Sequence, residues 1–213
     1  MNQFACPRAA SGRIFLLIVI ALAAIAAGIV ISSKLLDRSQ ELRAAQVFPE
    51  ARPLPEFELR TAAGEPLMNA DLKGRWSLMF FGFTNCPDIC PDTMAMLHSA
   101  VDSLDTMGAA SKPQVIFVSV DPERDDAEAL EAYVHSFDED FIGATADANQ
   151  LEELTRSLGI YYALGEPEPD SGYYTVDHSA SILIIDPQGR LLGRFAPPLD
   201  RQAVAADLFA LAR

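Results

Sequence analysis

The chain has 213 residues, half of them hydrophobic, with three cysteines and a formal net charge of −14. That length and apolar content support one globular domain with its own core plus an extra segment, and they exclude a small disulfide-stapled scaffold. Residues 44–213 carry 11 Lys/Arg against 28 Asp/Glu, a net −17 that repels nucleic acid and anionic lipid head groups and serves either solubility or a partner with a basic docking face.

In chain order, the first feature is Ile14–Ile31, eighteen residues without a charged or polar side chain. At roughly 1.5 Å per residue they cover about 27 Å, close to the apolar thickness of a bilayer. Ala26, Ala27 and Gly28 are small enough for a signal-peptide cleavage site, but the run exceeds the ~7–15 residues of a signal core, so an uncleaved anchor is expected. Flanking charges (Arg8 and Arg13 before, Lys34, Arg38 and Arg43 after) barely orient it. Thirteen residues ahead of the span leave no room for an organelle transit peptide, which points to a bacterial inner-membrane protein. The expected organisation is a cytoplasmic N-terminus over 1–13, with Cys6 an inert thiol there, a transmembrane anchor over 14–32, a polar tether over 33–52 and a folded domain over 53–213.

Within the domain, strand and helix signals alternate. Phe57–Thr61 reads as a strand followed by a turn at Ala63-Gly64, and Trp76–Phe83 as a buried strand. Pro91 fits the first position of a helix whose inner face is Met94, Leu97, Val101 and Leu104. Val115–Val120 is a second buried strand, and Asp125 with Glu128 resembles a capping box opening a helix through about Phe137. A helix over Asn149–Leu158 stops at Gly159. Ser181–Asp186 and Leu191–Phe195 flank the hairpin turn Pro187-Gln188-Gly189, and Asp200 caps a last helix. This order predicts an α/β sandwich.

The stretch FFGFTNCPDICPDTM, residues 80–94, places Cys86 at a strand end and Cys90 at a helix entry. A helix N-terminus favours thiolate over thiol, so these two are expected to be the reactive pair. The three-residue loop reaches both a disulfide, with sulfurs about 2.05 Å apart, and a shared metal at about 2.3 Å from each, and spacing alone does not choose. Of the three histidines, His98 and His135 fit ordinary helix positions. His178, in TVDHSASILIID, precedes a buried strand; if that strand neighbours Trp76–Phe83, the imidazole meets the cysteine loop at one end of the sheet. The alternative is a hydrogen-bonded loop histidine. Two thiolates and an imidazole would form a soft three-coordinate set suited to copper, whereas structural zinc normally has four closed ligands. Asp177 either orients His178 or is solvated surface. Met94 belongs to the apolar helix face, and Met96 has no supporting pattern.

In this order behind an anchor, FTNCPDICPDTM, VSVDPERDD and VDHSASILIIDPQG resemble the SCO/SenC family of copper-binding proteins over roughly residues 50–213. The resemblance implies a thioredoxin-like fold on the periplasmic or intermembrane face of a membrane, one copper, Cu(I) or Cu(II), per chain and assembly of the binuclear copper centre of cytochrome c oxidase. It implies Cys86, Cys90 and His178 as copper ligands, with Asp177, Asp121 and Arg124 shaping the site. Read on residues alone, Asp121, Pro122, Arg124 and Asp125 are a strand-end turn and helix cap. Thioredoxins carry a cis-proline before the strand facing their cysteines. No proline stands between Pro169 and Pro187 here, which disfavours general disulfide exchange.

The expected function is a copper metallochaperone, not an enzyme, whose partner is the copper-bearing oxidase subunit, with other copper carriers or thiol reductants as further partners. The alternative is a thiol-disulfide oxidoreductase cycling a Cys86–Cys90 disulfide to keep the acceptor's cysteines reduced. A copper sensor would use the same ligands. A peroxiredoxin is disfavoured because Thr84-Asn85-Cys86 is one residue too short for its Thr-x-x-Cys motif.

Overall fold

A computed structural model describes residues 10–37, 42–170 and 174–212, and the chain divides after Glu41 into two units. The first contains one helix, α1 (Ala10–Asp37). Its described side chains, residues 15–28, are exposed and apolar. Among the described residues no helix is long and apolar enough to cross a membrane. The expectations for Cys6 and for residues 38–41 of the tether lie outside the described residues.

The second unit opens with β1 (Ala45–Pro53), β2 (Glu58–Thr61) and β3 (Pro66–Met68). β4 (Ser77–Gly82) runs through the cysteine loop into α2 (Ile89–Met107). There follow β5 (Gln114–Ser119), α3 (Ala127–His135), β6 (Ile142–Thr145) and α4 (Ala148–Leu158). A short ribbon of β7 (Tyr162–Leu164) and β8 (Val176–His178) precedes β9 (Ile182–Ile185), β10 (Arg190–Phe195) and α5 (Arg201–Leu211).

Eight strands form a sheet in the order β1–β10–β9–β4–β5–β6–β2–β3, while β7 and β8 pair apart from it. β4, β5 and β6 are parallel, and β9 lies antiparallel to β4. Every residue of β4 and β5 is buried, as their unbroken apolar runs require of strands covered on both faces. The α2 positions Met94, Leu97, Val101 and Leu104 are all buried, so the spacing of three and four did mark the inner face. Gly108 and Gly159 end α2 and α4 at φ 74° and 69°, the left-handed turn that glycine takes without a Cβ penalty.

Four expectations shift. The folded unit begins before residue 53: most of the expected tether's end is β1, paired with β10. The Asp207 carboxylate on α5 accepts the backbone N–H groups of Arg43, Ala44 and Ala45 at 2.9, 2.7 and 2.8 Å, fixing that entry. Pro91 is the third residue of α2, still inside the first turn, where no backbone N–H is required of it. The cap of α3 is Asp126, accepting from Ala129 N, while Asp125 is turned inward. Finally, α3 ends at His135, ahead of Phe137. The hairpin and the Asp200 cap of α5 stand as read.

Candidate metal centre

Three unrelated parts of the chain converge beyond the last residue of β4. Gly82 ends the strand, and Thr84 is held by Asp125: its N–H and hydroxyl donate to the two carboxylate oxygens at 2.8 and 2.6 Å. Ser119, at the end of β5, donates to the same carboxylate at 2.6 Å. Asp125 thereby ties the start of the cysteine loop to the neighbouring strand. Asp88 caps α2 by position but makes no side-chain capping bond. The Cys86 sulfur takes that part instead, accepting the Cys90 N–H at 3.4 Å.

β9 pairs with β4 through Phe80 and Ile182, so the chain segment ahead of β9 arrives at the cysteine end of β4. His178, the last residue of β8, reaches in from there, its Nε2 3.2 Å from Cys90 Sγ. Its Nδ1 lies 3.3 Å from the Ser179 carbonyl oxygen. A carbonyl only accepts, so that contact places the ring proton on Nδ1 and leaves the Nε2 lone pair facing the sulfurs. Phe83 and Phe80 hold the ring edge-on, at centroid distances of 5.9 and 6.0 Å. The donor atoms of Cys86, Cys90 and His178 all lie within 4.8 Å of one another, close enough to hold one metal ion. Both cysteines are free and buried, and the imidazole is partly buried.

The electrostatics correct one expectation. Burial pushes the Cys90 thiol well above its ordinary range, reinforced by Cys86 and Asp125 and opposed by a hydrogen bond to the Phe83 backbone. For this residue desolvation outweighs the helix N-terminus expected to favour a thiolate. A metal ion held by Cys86, Cys90 and His178 would take the place of that proton and supply positive charge beside the buried sulfur. Burial also holds His178 below its usual value, against the carbonyls of Ser179 and Phe81 and the charge of Asp177. The imidazole is therefore neutral near pH 7, the form that ligates.

Asp177 is exposed and reaches His178 through its charge; the ring proton is taken by Ser179. Asp121 and Arg124 stand one step back. The buried Asp121 carboxylate accepts from Arg124 Nε and, at 2.7 Å, from the Tyr174 hydroxyl. The guanidinium also donates to the Tyr174 carbonyl at 3.0 Å and lies 3.7 Å over the Tyr174 ring and 5.7 Å from Phe83. This brace holds the residues leading into β8 and the ring that flanks His178. Burial, with the Asp121 hydrogen bond, raises the Tyr174 phenol to about 12.

His98 is engaged by Asp138 at 2.9 Å, His135 ends α3, and Met94 is core; none joins the donor group. Sequence reasoning missed Thr84, Ser119 and Tyr174; on residues alone it read Asp125 as part of a turn and helix cap, and only the family resemblance set it among the residues shaping the site. A Ser or Thr beside a strand end carries no signal of which distant carboxylate it will meet.

A sheet and helix arrangement of this kind, with paired cysteines at a strand–helix junction and a histidine facing them, defines a mixed α/β protein of thioredoxin-like fold with a Cys-Cys-His metal centre. The SCO1/SenC family pattern matches residues 48–213, and the chain belongs to that family. The mouse Protein SCO2 homolog, mitochondrial, is 40% identical over 134 residues, 63% of this chain and 52% of that protein. The chain thus spans about half the length of that relative. The Arabidopsis thaliana ScoI structure with copper bound superposes with a TM-score of 0.68 at 32% identity, covering 73% of this chain and 94% of that one. Bradyrhizobium japonicum ScoI with copper bound gives 0.66 at 31% identity, over 75% and 99%.

Proposed function

We propose that the chain binds one copper ion through Cys86 Sγ, Cys90 Sγ and His178 Nε2 and hands it to the subunit of cytochrome c oxidase that carries the binuclear copper centre. The observation that carries this reading is the convergence of those donors, from positions 86, 90 and 178, within 4.8 Å. Two sulfurs suit Cu(I), and the imidazole allows Cu(II) as well. Three protein ligands leave a position through which an acceptor's ligand can enter and take the ion. The copper-bound relatives support the choice of metal. The chain is a carrier and turns over no substrate. The apolar run Ile14–Ile31 supports a single anchor over 14–32, which tethers the domain on the periplasmic side of a bacterial inner membrane.

The test is metal analysis of the full-length chain in detergent after anaerobic Cu(I) loading. One copper per chain is expected for wild type, lost in Cys86→Ser and in His178→Ala, and on separate loading with Cu(II) the thiolate-to-Cu(II) absorption of wild type should be missing from Cys86→Ser. Zinc in place of copper, or no metal at all, overturns the reading.

One observation favours a second reading. The Cys86 sulfur accepts the Cys90 N–H at the outer side of the loop, 9% exposed, while Cys90 is fully buried and keeps its proton. That asymmetry suits an attacking and a resolving thiol. The pair would pass two electrons and two protons to an acceptor disulfide and end as a Cys86–Cys90 disulfide. Oxidase assembly intact in His178→Ala but abolished in Cys86→Ser would favour this role over copper delivery.

A further inference from the structure

Gly82 is the last residue of β4, buried and aligned with Ser119 of β5. A Cβ placed on it would lie 2.7 Å from Cys90 Sγ and 2.8 Å from Phe117 Cε2, closer than real Cβ contacts come. Neither neighbour has space to retreat. Cys90 and Phe117 are both fully buried, and the Phe117 ring is packed between Phe80 and Tyr133 at centroid distances of 6.0 and 5.1 Å. The sulfur atom that would have to move is the one 3.2 Å from His178 Nε2.

We propose that Gly82 is a positioning residue of the metal centre: its missing side chain makes the room in which the Cys90 sulfur lies, and so sets the distance between that sulfur and the imidazole. The inference rests on the copper-binding reading for its consequence, but not for its geometry. A methyl group at 82 drives the sulfur out of line with Cys86 and His178. Gly143 supplies a matched control. It too is buried in the sheet, and a Cβ there would lie 2.7 Å from Leu130 Cγ, but its neighbours include none of the three donors.

Two measurements on the full-length chain decide the matter. In competition titrations with Cu(I), Gly82→Ala should bind about 10- to 100-fold more weakly than wild type, the range seen when groups that orient metal ligands are lost. Its thiolate-to-Cu(II) band should shift, while Gly143→Ala keeps wild-type affinity and band. In denaturant unfolding of the metal-free protein, the destabilisation by Gly82→Ala should shrink when Cys90 is also changed to Ala, because the struck sulfur is gone, and that by Gly143→Ala should not. A Gly82→Ala chain that folds only in the Cys90→Ala background supports the proposal equally. Wild-type affinity and band in folded Gly82→Ala, or equal destabilisation in both backgrounds, overturns the proposal. If wild type itself takes up no copper, the copper reading fails, and the unfolding cycle still decides the role of Gly82.

Discussion

At the scale of single residues, the groups behind the donors carry the sharper consequences. Asp121 is buried, with one oxygen on Arg124 and the other on the Tyr174 hydroxyl. Replacing Arg124 by Met strips a buried carboxylate of its cation, a change that costs about 3 kcal/mol in comparable settings. It also releases Tyr174 and, through it, the approach to His178. Urea unfolding should therefore show a loss of that order, and copper affinity should fall with it. Asp138 gives a pH-dependent test away from the metal centre. Burial opposes ionisation of its carboxyl, but the Asp140 N–H, the His98 hydrogen bond and the charges of His98 and Lys112 outweigh it and hold the group below its ordinary value. A carboxyl depressed on folding stabilises the protein fully above its unfolded pKa of about 3.9, and that contribution disappears as pH falls through the lower folded value. The stability advantage of wild type over Asp138→Asn should accordingly be present at pH 7 and lost in strong acid. An advantage that grows as pH falls below 4 would contradict the assignment.

At the scale of elements, the start of the domain depends on one side chain. Three consecutive N–H groups, from Arg43 to Ala45, donate to the buried Asp207 carboxylate just ahead of the β1–β10 pairing. Asp207→Ala leaves all three without that acceptor, and with about 1–3 kcal/mol at stake for each buried orphan a loss of about 2 kcal/mol is expected where water partly replaces the carboxylate. Hydrogen exchange should show residues 43–53 losing protection while β4 and β5 keep theirs. The sequence offered no sign of this clasp, because a carboxylate on the last helix reads as a solvated charge until the fold brings residue 43 beside it. Elements with many consistent residues were legible. The apolar runs of β4 and β5, the three-and-four spacing on α2 and the Gly159 stop of α4 each state their own structure. β3, β7 and β8 have three residues apiece, too few for a period, and β6 is Ile-Gly-Ala-Thr, with little side chain to mark a strand. The cysteine pair and His178 stood out for the opposite reason, being rare enough to single out; their residues alone left a disulfide and a hydrogen-bonded loop histidine open, and the family resemblance joined the three as ligands, whereas the Asp125–Thr84–Ser119 tie beneath them is built from common residues whose meeting depends on strand order.

At the scale of the whole molecule, charge is the property most open to test. Residues 44–213 carry a net −17. Two exposed carboxylates, Asp88 and Asp92, flank the entry to α2 beside Cys90. If the site hands copper on as proposed, a field of that sign around it attracts a basic face and orients it before contact, and it acts on the association rate more than on the lifetime of the complex. With copper loaded on the full chain, the second-order rate of transfer to a copper-accepting subunit with a basic face should fall by about tenfold or more as salt is raised from low to well above physiological strength, where the screening length shrinks to a few ångströms. The double substitution Asp88→Asn, Asp92→Asn should lower the rate at low salt and flatten its salt dependence. Copper affinity should stay close to wild type, since neither carboxylate is among the three donors. Stopped-flow transfer at several ionic strengths separates these outcomes. A rate indifferent both to salt and to the two carboxylates would mean that the negative surface keeps the domain dispersed in solution and takes no part in finding the acceptor.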